Sequence, residues 1–344
     1  MSSFGSQIVI TGSSGFIGTH LVRRFRELGW EVRGIGRRRS DEPGYLSHDL
    51  SQPLPGAWTQ SLGDGPDVVV HAAARSNPWG TRAEFEQDNI VATQNVLDVC
   101  LGRKRLPRLV YISSSSVCYR EEHQLGVTEE TPLPARSVNL YAETKRRAEE
   151  LVQGYPGPWA ILRPRAVFGP GDTVLLPRIL RAAREGRLPI LYAPDGPVVG
   201  DLIYIDNLVD AVVAAASPKV TSASDASAAD APTGVFYLTN DEPVPIHDFL
   251  FGVFDRLGIP RPTRRVSART AMAVAGGLEL FHRLFRPKAE PAITRFGVHV
   301  FRYSKTFDIA KAKRILGPPR VTLEAGLDRT VEWFRRYPDG VGPL

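Results

Sequence analysis

A glycine-rich segment between an apolar run and a helical pattern constrains this sequence most. Residues 7–11 predict a short buried strand, and residues 15–28 predict a helix. Three glycines follow one another here at intervals of three residues: Gly12 lies between the two predicted elements, and Gly15 and Gly18 lie at the start of the helix. The first glycine permits a tight turn, the second lets the backbone approach a pyrophosphate, and the third lets the helix pack on the strand. Because the helix N-terminus adds free N–H groups and a positive dipole, the segment predicts a dinucleotide phosphate site.

The same alternation of short apolar runs and helical patterns continues to residue 162. It predicts an α/β fold, a doubly wound parallel (Rossmann) sheet whose ligands bind at the carboxyl ends of the strands. We predict strands at 7–11, 31–35, 67–72, 108–113 and 159–162, and helices at 15–28, 89–101 and 141–153.

The domain organisation follows from where this alternation stops. Residues 1–162 should form the NADP-binding domain, and 163–344 mainly a smaller α/β substrate-binding domain, with part of 201–245 returning to the first. Residues 217–234 are dominated by Ala, Ser, Asp and Pro and should form a mobile loop, because they offer little apolar surface to bury.

Composition limits the other classes of function. The 344 residues are 42% apolar, enough for a substantial core, and no apolar run approaches the ~20 residues of a membrane span. The net charge of +6 is spread along the chain without an aromatic-interleaved basic patch, so we expect no nucleic-acid partner, and no metal site is predicted. Two cysteines cannot form a disulfide framework and no secretory signal is evident, so we expect a cytoplasmic protein.

Further segments carry a resemblance to a known family. They are Phe16 to Gly18, His71 to Ala74, Asn89 to Thr93, Arg163 to Gly171, Asp201 to Asn207, and Phe307 to Ile309 with Leu316 and Gly317. In order and spacing the chain resembles the extended short-chain dehydrogenases/reductases (epimerase/dehydratase-like), nearest the 3β-hydroxysteroid dehydrogenase branch. The resemblance implies cofactor contacts from Gly12, Ser14, Gly15, Phe16, Ile17, Gly18, Asp49, Leu50, Ala72, Ala73, Ala74, Tyr141, Lys145, Pro164 and Val167.

Tyr141 and Lys145 form the candidate catalytic pair. They are four residues apart in a strongly helical segment, so both project from one face. A tyrosine with a pKa near 10 is a poor base, but a lysine ammonium one turn away favours the phenolate and can hold the nicotinamide ribose. The pair predicts proton exchange between Tyr141 and a carbonyl oxygen while hydride moves at the carbon.

A third catalytic group, a hydroxyl, is expected at the end of the preceding strand. Four serines, 113–116, stand there. A gapless match of the strand to the family selects Ser114, which we prefer. A shift by one, which gives Tyr119 rather than Cys118 the family's usual tyrosine position, would select Ser115.

The end of the second predicted strand bears on the choice of cofactor. An acid there would bind the ribose hydroxyls of NAD, whereas a cation would pair with the 2′-phosphate of NADP. The sequence has Gly36 at this position, followed by Arg37, Arg38 and Arg39. We therefore predict NADP rather than NAD, with Arg37 as the leading phosphate contact.

The resemblance of the second half implies an apolar small-molecule substrate, sterol-like or β-keto-lipid-like, and net interconversion of an alcohol and a ketone. A nucleotide-sugar epimerase or dehydratase is the alternative enzyme, because it shares the cofactor half and the Tyr-Lys pair. A catalytically silent NADP-sensing protein is a further alternative. The resemblance also implies a homodimer formed through helices of the cofactor half.

A predicted amphipathic helix covers residues 270–285. Its apolar and basic residues are Leu278, Leu280, Phe281, Leu284, Phe285, Arg283 and Arg286. We interpret it as a cover for the pocket or the core; the alternative is contact with a membrane surface.

Overall fold

A computed structural model describes residues 6–77, 79–193, 196–217, 232–287 and 289–342. Most of the loop predicted at 217–234 lies outside these residues, and its mobility stays a prediction. Among the helices in these ranges, none combines the length and the apolar character needed to cross a bilayer.

The strands in the described ranges agree with an α/β fold. In chain order they are β1 (Gln7–Thr11), β2 (Glu31–Gly36), β3 (Tyr45–Ser47), β4 (Val68–His71), β5 (Arg108–Ile112), β6 (Gln124–Val127), β7 (Trp159–Pro164), β8 (Val167–Phe168), β9 (Ile190–Tyr192), β10 (Val199–Gly200), β11 (Ile203–Tyr204), β12 (Gly234–Leu238), β13 (Val244–Pro245), β14 (Arg265–Ser267) and β15 (Lys305–Phe307). Seven of those described form one parallel sheet in the order β12-β7-β5-β4-β1-β2-β3. Strand order runs outward from β1 in both directions, so the β1/β4 junction is the switch point at which such sheets bind ligands.

Helices cover both faces of this sheet. They are α1 (Phe16–Glu27), α2 (Gly56–Ser61), α3 (Arg82–Phe85), α4 (Ala92–Leu101), α5 (Leu140–Gln153), α6 (Leu176–Arg184), α7 (Ile205–Ala216), α8 (Ile246–Leu257), α9 (Ala268–Phe285), α10 (Arg295–Val300), α11 (Ala310–Leu316) and α12 (Leu323–Arg336). On one face Ile8 and Ile10 of β1 share a buried cluster with Phe25 of α1, and on the other Val9 packs in a cluster with Leu97 of α4. A strand buried on both faces has a continuous apolar sequence, which is why the first predicted strand was easy to recognise.

Smaller sheets join the two halves of the chain. Among the described residues, β13, β10, β15 and β6 form a four-stranded sheet, and β11-β8 and β14-β9 form pairs. In this way β6 of the first half pairs with β15, while β12 of the second half pairs with β7 in the large sheet.

The helix predicted at 89–101 differs from the structure. Helical backbone begins at Arg82, where Thr81 and Glu84 form a reciprocal capping box, and a π-helical turn, Glu86–Val91, separates α3 from α4. The early turns carry mainly charged and polar residues, so they lack the apolar periodicity that reveals a helix in sequence. The short elements β3 and α2 were also missed.

The helix predicted at 270–285 is present as α9, but the interpretation of it as a cover is wrong for its C-terminal half. Its buried residues are small: Ala268, Ala271 and Ala275. The large side chains are exposed instead, by 60% for Leu280, 46% for Phe281, 66% for Leu284 and 69% for Phe285.

Candidate active site

The predicted site residues gather at one edge of the large sheet. Gly12 follows β1, Arg37 follows β2, Ala72 follows β4 and the four serines follow β5. Because these strands are parallel neighbours, their carboxyl ends meet at the same edge. The fold thus brings together segments that are more than a hundred residues apart in sequence.

The glycine loop at the end of β1 is closely packed. Gly12 has φ +67°, and a Cβ atom there would lie 2.8 Å from the backbone nitrogen of Ala73. A Cβ atom on Gly18 would lie 2.1 Å from the carbonyl oxygen of Gly12. Gly15 has no side chain with which to cap α1, so the first N–H groups of this helix are available to an anion. The loop therefore has the form of a backbone cradle for phosphate groups.

Gly36 at the end of β2 leaves no space for an acidic side chain. A Cβ atom there would lie 2.5 Å from Ser14 Oγ and 2.6 Å from the hydroxyl oxygen of Tyr45. The Tyr45 hydroxyl donates a 2.7 Å hydrogen bond to the carbonyl oxygen of Arg38, which fixes the ring in this position. The usual NAD-selective aspartate would require Ser14 and Tyr45 to move.

Arg37 is exposed and lies beside two carboxylates. Its Nη1 atom is 3.6 Å from Asp88 Oδ1. The Ser51 backbone N–H, and more weakly the Arg37 guanidinium, hold the pKa of Asp49 below its usual value. The adjacent Leu50 is buried. Arg37, Asp49 and Leu50, predicted as cofactor contacts, thus lie around one corner of the sheet edge.

His71, the last residue of β4, fixes the segment from Ala72 to Ala74. Its Nδ1 atom is 2.7 Å from Thr11 Oγ1 and its Nε2 atom is 3.0 Å from Thr93 Oγ1. The Ala73 backbone N–H also donates to Thr11 Oγ1, at 3.2 Å. Burial lowers the pKa of His71 to about 3, so this imidazole is neutral and acts as a hydrogen-bonded spacer.

The π-helical turn connects this segment to the helix that carries Tyr141. Asn89 is buried in the turn; its Oδ1 atom accepts a 2.8 Å hydrogen bond from the Arg75 backbone N–H. Its Nδ2 atom donates a 2.9 Å hydrogen bond to Thr144 Oγ1 in α5. The sequence placed Asn89 at a helix start but did not indicate that one side chain bridges two parts of the site.

Tyr141 lies in the first turn of α5, which Asn139 caps by accepting a 2.8 Å hydrogen bond from the Ala142 backbone N–H. Its phenol lies beside the Ser114 hydroxyl, whose oxygen is 2.9 Å from Ser116 Oγ. Burial raises the pKa of Tyr141, and the Ser114 hydroxyl partly offsets this effect. Both residues are half-buried.

The surroundings of Lys145 differ from the prediction that its ammonium favours the Tyr141 phenolate. Its Nζ atom donates a 2.6 Å hydrogen bond to the Ile112 carbonyl oxygen and lies 4.1 Å from the centre of the Tyr111 ring. Burial lowers the pKa of Lys145 to about 7, although the Glu149 carboxylate opposes this. The expected lowering of the Tyr141 pKa by a lysine ammonium is therefore absent here, because burial removes much of the charge from Lys145.

The neighbouring serines have other partners. Ser115 is 2% exposed, and its hydroxyl is 3.1 Å from the hydroxyl oxygen of Tyr119. Ser113 donates a hydrogen bond to the buried Glu149 carboxylate. Ser114 caps the short 3-10 turn that follows, by accepting a 3.2 Å hydrogen bond from the Ser116 backbone N–H.

Two buried charged residues beyond Ser115, Arg165 and Asp201, were not expected. Pro164 ends β7 and Val167 begins β8, and between them Arg165 lies with its Cζ atom 5.3 Å from the centre of the Tyr119 ring. Within the described residues, Arg165 Nε and Asp201 Oδ1 are buried without a hydrogen-bond partner. Burial raises the pKa of Asp201 to about 6. Arg165 occupies a variable position of an otherwise recognisable segment, so no sequence pattern singled it out.

Comparison with known proteins agrees with this arrangement. Residues 8–225 match the model of the NAD-dependent epimerase/dehydratase family. A 2-alkyl-3-oxoalkanoate reductase of Shewanella oneidensis is 32% identical over 94% of this chain and 85% of its own length. A decarboxylating sterol-4-alpha-carboxylate 3-dehydrogenase of Saccharomyces cerevisiae is 30% identical over 97% of this chain and 99% of its own.

Solved structures agree in fold. The Bordetella bronchiseptica enzyme WbmH in complex with NAD+ superimposes with a TM-score of 0.71 over 98% of this chain and 100% of its own, at 22% identity. At that identity the likeness concerns the fold alone. The family match and the two curated relatives show that this chain belongs to the NAD-dependent epimerase/dehydratase family and is an enzyme of the extended short-chain dehydrogenase/reductase type.

Proposed function

We propose that the protein is an NADP-dependent oxidoreductase that interconverts a secondary alcohol and a ketone on an apolar substrate. The observation that carries the proposal is the position of the Ser114 hydroxyl beside the Tyr141 phenol, close enough to lower the pKa of that phenol, at the sheet edge next to the glycine loop. Two hydroxyls that meet at a half-buried position can both reach one substrate oxygen.

The residues at the edge fit a dinucleotide. The backbone cradle at Gly12 and Gly18 and the free N–H groups of α1 suit a pyrophosphate. Gly36 stands where the acid that would select NAD is missing, and Arg37 supplies a cation for a 2′-phosphate. We infer that this phosphate replaces Asp88 as the partner of Arg37.

In the proposed mechanism, the bound nicotinamide supplies or accepts the hydride. Tyr141 donates its proton to the ketone oxygen during reduction and recovers it during oxidation. Ser114 donates a hydrogen bond to the same oxygen as negative charge develops there. Lys145, one turn along α5, would hold the cofactor ribose. A polar group bound beside Lys145 would raise its pKa and so restore positive charge next to Tyr141.

The substrate class rests on the relatives. Their names specify a 2-alkyl-3-oxoalkanoate and a sterol carboxylate, both of which combine a large apolar body with a carbonyl or hydroxyl group. We propose a substrate of this kind, a β-keto lipid or a sterol.

The decisive test follows nicotinamide absorbance with the purified protein and NADPH or NADH. The substrate panel contains 2-alkyl-3-oxoalkanoates, 3-keto sterols and UDP-sugars. We expect stoichiometric NADPH consumption with an apolar ketone. Conversion of a UDP-sugar without net absorbance change, together with inactivity towards every ketone, would contradict the proposal and indicate an epimerase.

The assignment of NADP makes a specific prediction for Arg37→Gln. Loss of a charged hydrogen bond should raise the KM for NADPH by roughly tenfold to a hundredfold, because such bonds contribute about 1.5–3 kcal/mol. The KM for NADH should stay within about twofold. Arg39→Gln, an exposed arginine of the same turn, is the matched control. Equal KM changes for both coenzymes would exclude Arg37 as the phosphate contact.

The choice of Ser114 predicts different behaviour for two adjacent alanine variants. Ser114→Ala should lower kcat by about a hundredfold, as expected when one donor to a developing oxyanion is removed. Ser115→Ala should leave kcat within a few-fold and instead lower thermal stability, because it leaves the buried Tyr119 hydroxyl without its partner. The reverse pattern of kcat values would assign the catalytic hydroxyl to Ser115.

A further inference from the structure

The exposed face of α9 is apolar along most of its length. We call this face the outer stripe; its residues are Ala273, Val274, Gly277, Leu280, Phe281, Leu284 and Phe285, and each is exposed. At 100° per residue, these positions fall within an arc of about 140° on the helix surface. This spacing is typical of an amphipathic helix whose apolar face contacts an apolar environment.

The polarity of α9 is inverted relative to an ordinary surface helix. Its acidic residue, Glu279, faces the protein and accepts a 2.7 Å hydrogen bond from the Arg295 backbone N–H. Its buried residues are alanines and Met272 and Leu278 are half-buried, whereas its four remaining largest apolar side chains, Leu280, Phe281, Leu284 and Phe285, face outward. A helix that served only to cover the core would be oriented the other way, because burial of Leu and Phe stabilises by about 1.5–3 kcal/mol each.

Specific contacts hold the C-terminal end of α9 in this orientation. Trp79 Nε1 donates a 3.1 Å hydrogen bond to the Pro287 carbonyl oxygen, and the Trp79 ring contacts the His282 ring edge-on. His282 Nδ1 is 2.7 Å from the Ala289 carbonyl oxygen. The exposure of the stripe is therefore part of the packed structure and does not result from a frayed helix end.

Positive charge borders the stripe. Arg269 and Arg286 are exposed at its two ends, whereas Arg283, although exposed, is 4.0 Å from the Glu279 carboxylate and lies over the Trp79 ring. With the helix's acid turned inward, the outward surface combines an apolar stripe with basic margins, which complements a bilayer whose headgroups are anionic.

We propose that the outer stripe docks the protein on the surface of an anionic lipid bilayer, with the axis of α9 parallel to the membrane. Leu280, Phe281, Leu284 and Phe285 enter the boundary between headgroups and acyl chains, and the arginines contact lipid phosphates. This inference does not depend on the proposed reaction. A second copy of the chain fits the stripe less well, because seven residues of one helix fall far short of the roughly 20–30 residues a side in a standard interface.

The test is co-sedimentation of the full chain with vesicles of phosphatidylcholine alone or mixed with phosphatidylserine. We expect binding to the mixed vesicles, weakened by salt, and weaker binding to phosphatidylcholine. The variant Leu284→Glu/Phe285→Glu should lower the partition coefficient by about tenfold or more, because it removes apolar area and adds charge that the lipid repels. Leu101→Glu/Leu125→Glu, which adds the same charge at exposed leucines elsewhere, should bind like the unaltered protein.

Three outcomes would overturn the proposal. The first is an unaltered protein that binds neither kind of vesicle, and the second is equal loss of binding in the stripe and control variants. The third combines two results: the unaltered protein binds no vesicles and has the mass of a dimer by light scattering, and the stripe variant has the mass of a monomer. That result would assign the stripe to a second copy. NADPH turnover, measured in solution, should be the same in both variants, so failure of this proposal is distinguishable from failure of the proposed reaction.

Discussion

Replacement of Tyr141 by phenylalanine should lower kcat by about 10²–10⁴-fold while the protein remains folded. The substitution removes one oxygen atom, which lies beside the Ser114 hydroxyl and is the proposed proton donor to the substrate. The ring and its packing in α5 remain, so the free energy of unfolding should change by only about 1 kcal/mol. Steady-state NADPH oxidation and chemical denaturation measure the two effects.

Tyr155→Phe provides the matched control for this variant. The Tyr155 hydroxyl is also buried, follows the same helix and donates a 2.7 Å hydrogen bond to the Pro107 carbonyl oxygen. We expect a similar loss of stability and an unchanged kcat. If Tyr141→Phe kept kcat within a few-fold of the original value, another group would have to supply the proton.

The second large effect is expected for Glu149→Gln and concerns stability. Glu149 and Arg163 are 2% and 5% exposed, and the guanidinium donates to both carboxylate oxygens, at 2.9 Å and 2.6 Å. Removal of one charge leaves Arg163 buried without a counter-ion, which typically costs about 3–5 kcal/mol. The midpoint of denaturant unfolding should fall accordingly.

Glu150→Gln separates this effect from the substitution itself. Glu150 is the next residue of α5, its side chain is 60% exposed, and it pairs with Arg146 at 3.5 Å. An exposed pair contributes only about 0–1 kcal/mol, so little change is expected. An equal loss of stability in both variants would mean that the buried ion pair has no special role.

Activity offers a second measurement on Glu149→Gln. The Glu149 carboxylate raises the pKa of Lys145 against the larger effect of burial, so its removal should lower that pKa further below about 7. Lys145 then loses its proton at a lower pH. Any catalytic step that needs the ammonium should fail earlier as pH increases.

Much of the cofactor half could be predicted from sequence because each element has a local pattern. The strand before Gly12 is a continuous apolar run, and the helix with Tyr141 and Lys145 has helical periodicity. Gly18 has a local steric cause, because its neighbour Gly12 is only six residues away. At Gly36 the sequence indicated that the acid that would bind the ribose hydroxyls of NAD is missing. The structure adds that Ser14 and Tyr45 fill the space.

The remaining features depend on contacts between distant segments. Four consecutive serines are indistinguishable until the turn after β5 directs Ser114 towards Tyr141 and Ser115 towards Tyr119. The partnership of Glu149 with Arg163 likewise appears only when α5 packs on β7. In α9, periodicity places the apolar residues on one face, but it cannot say whether that face meets the core or the solvent.

The π-helical turn at Glu86–Val91 has an evolutionary consequence. Such a turn holds one residue more than the α-helix that would replace it, so loss of a single codon would convert it to an ordinary α-helical turn while the helices on either side keep their register. The bridge from Asn89 to Arg75 and Thr144 would then be lost, although no contact residue had been substituted. A length change at this point could therefore reshape the pocket in one mutational event, a route to new substrates that point substitutions do not offer.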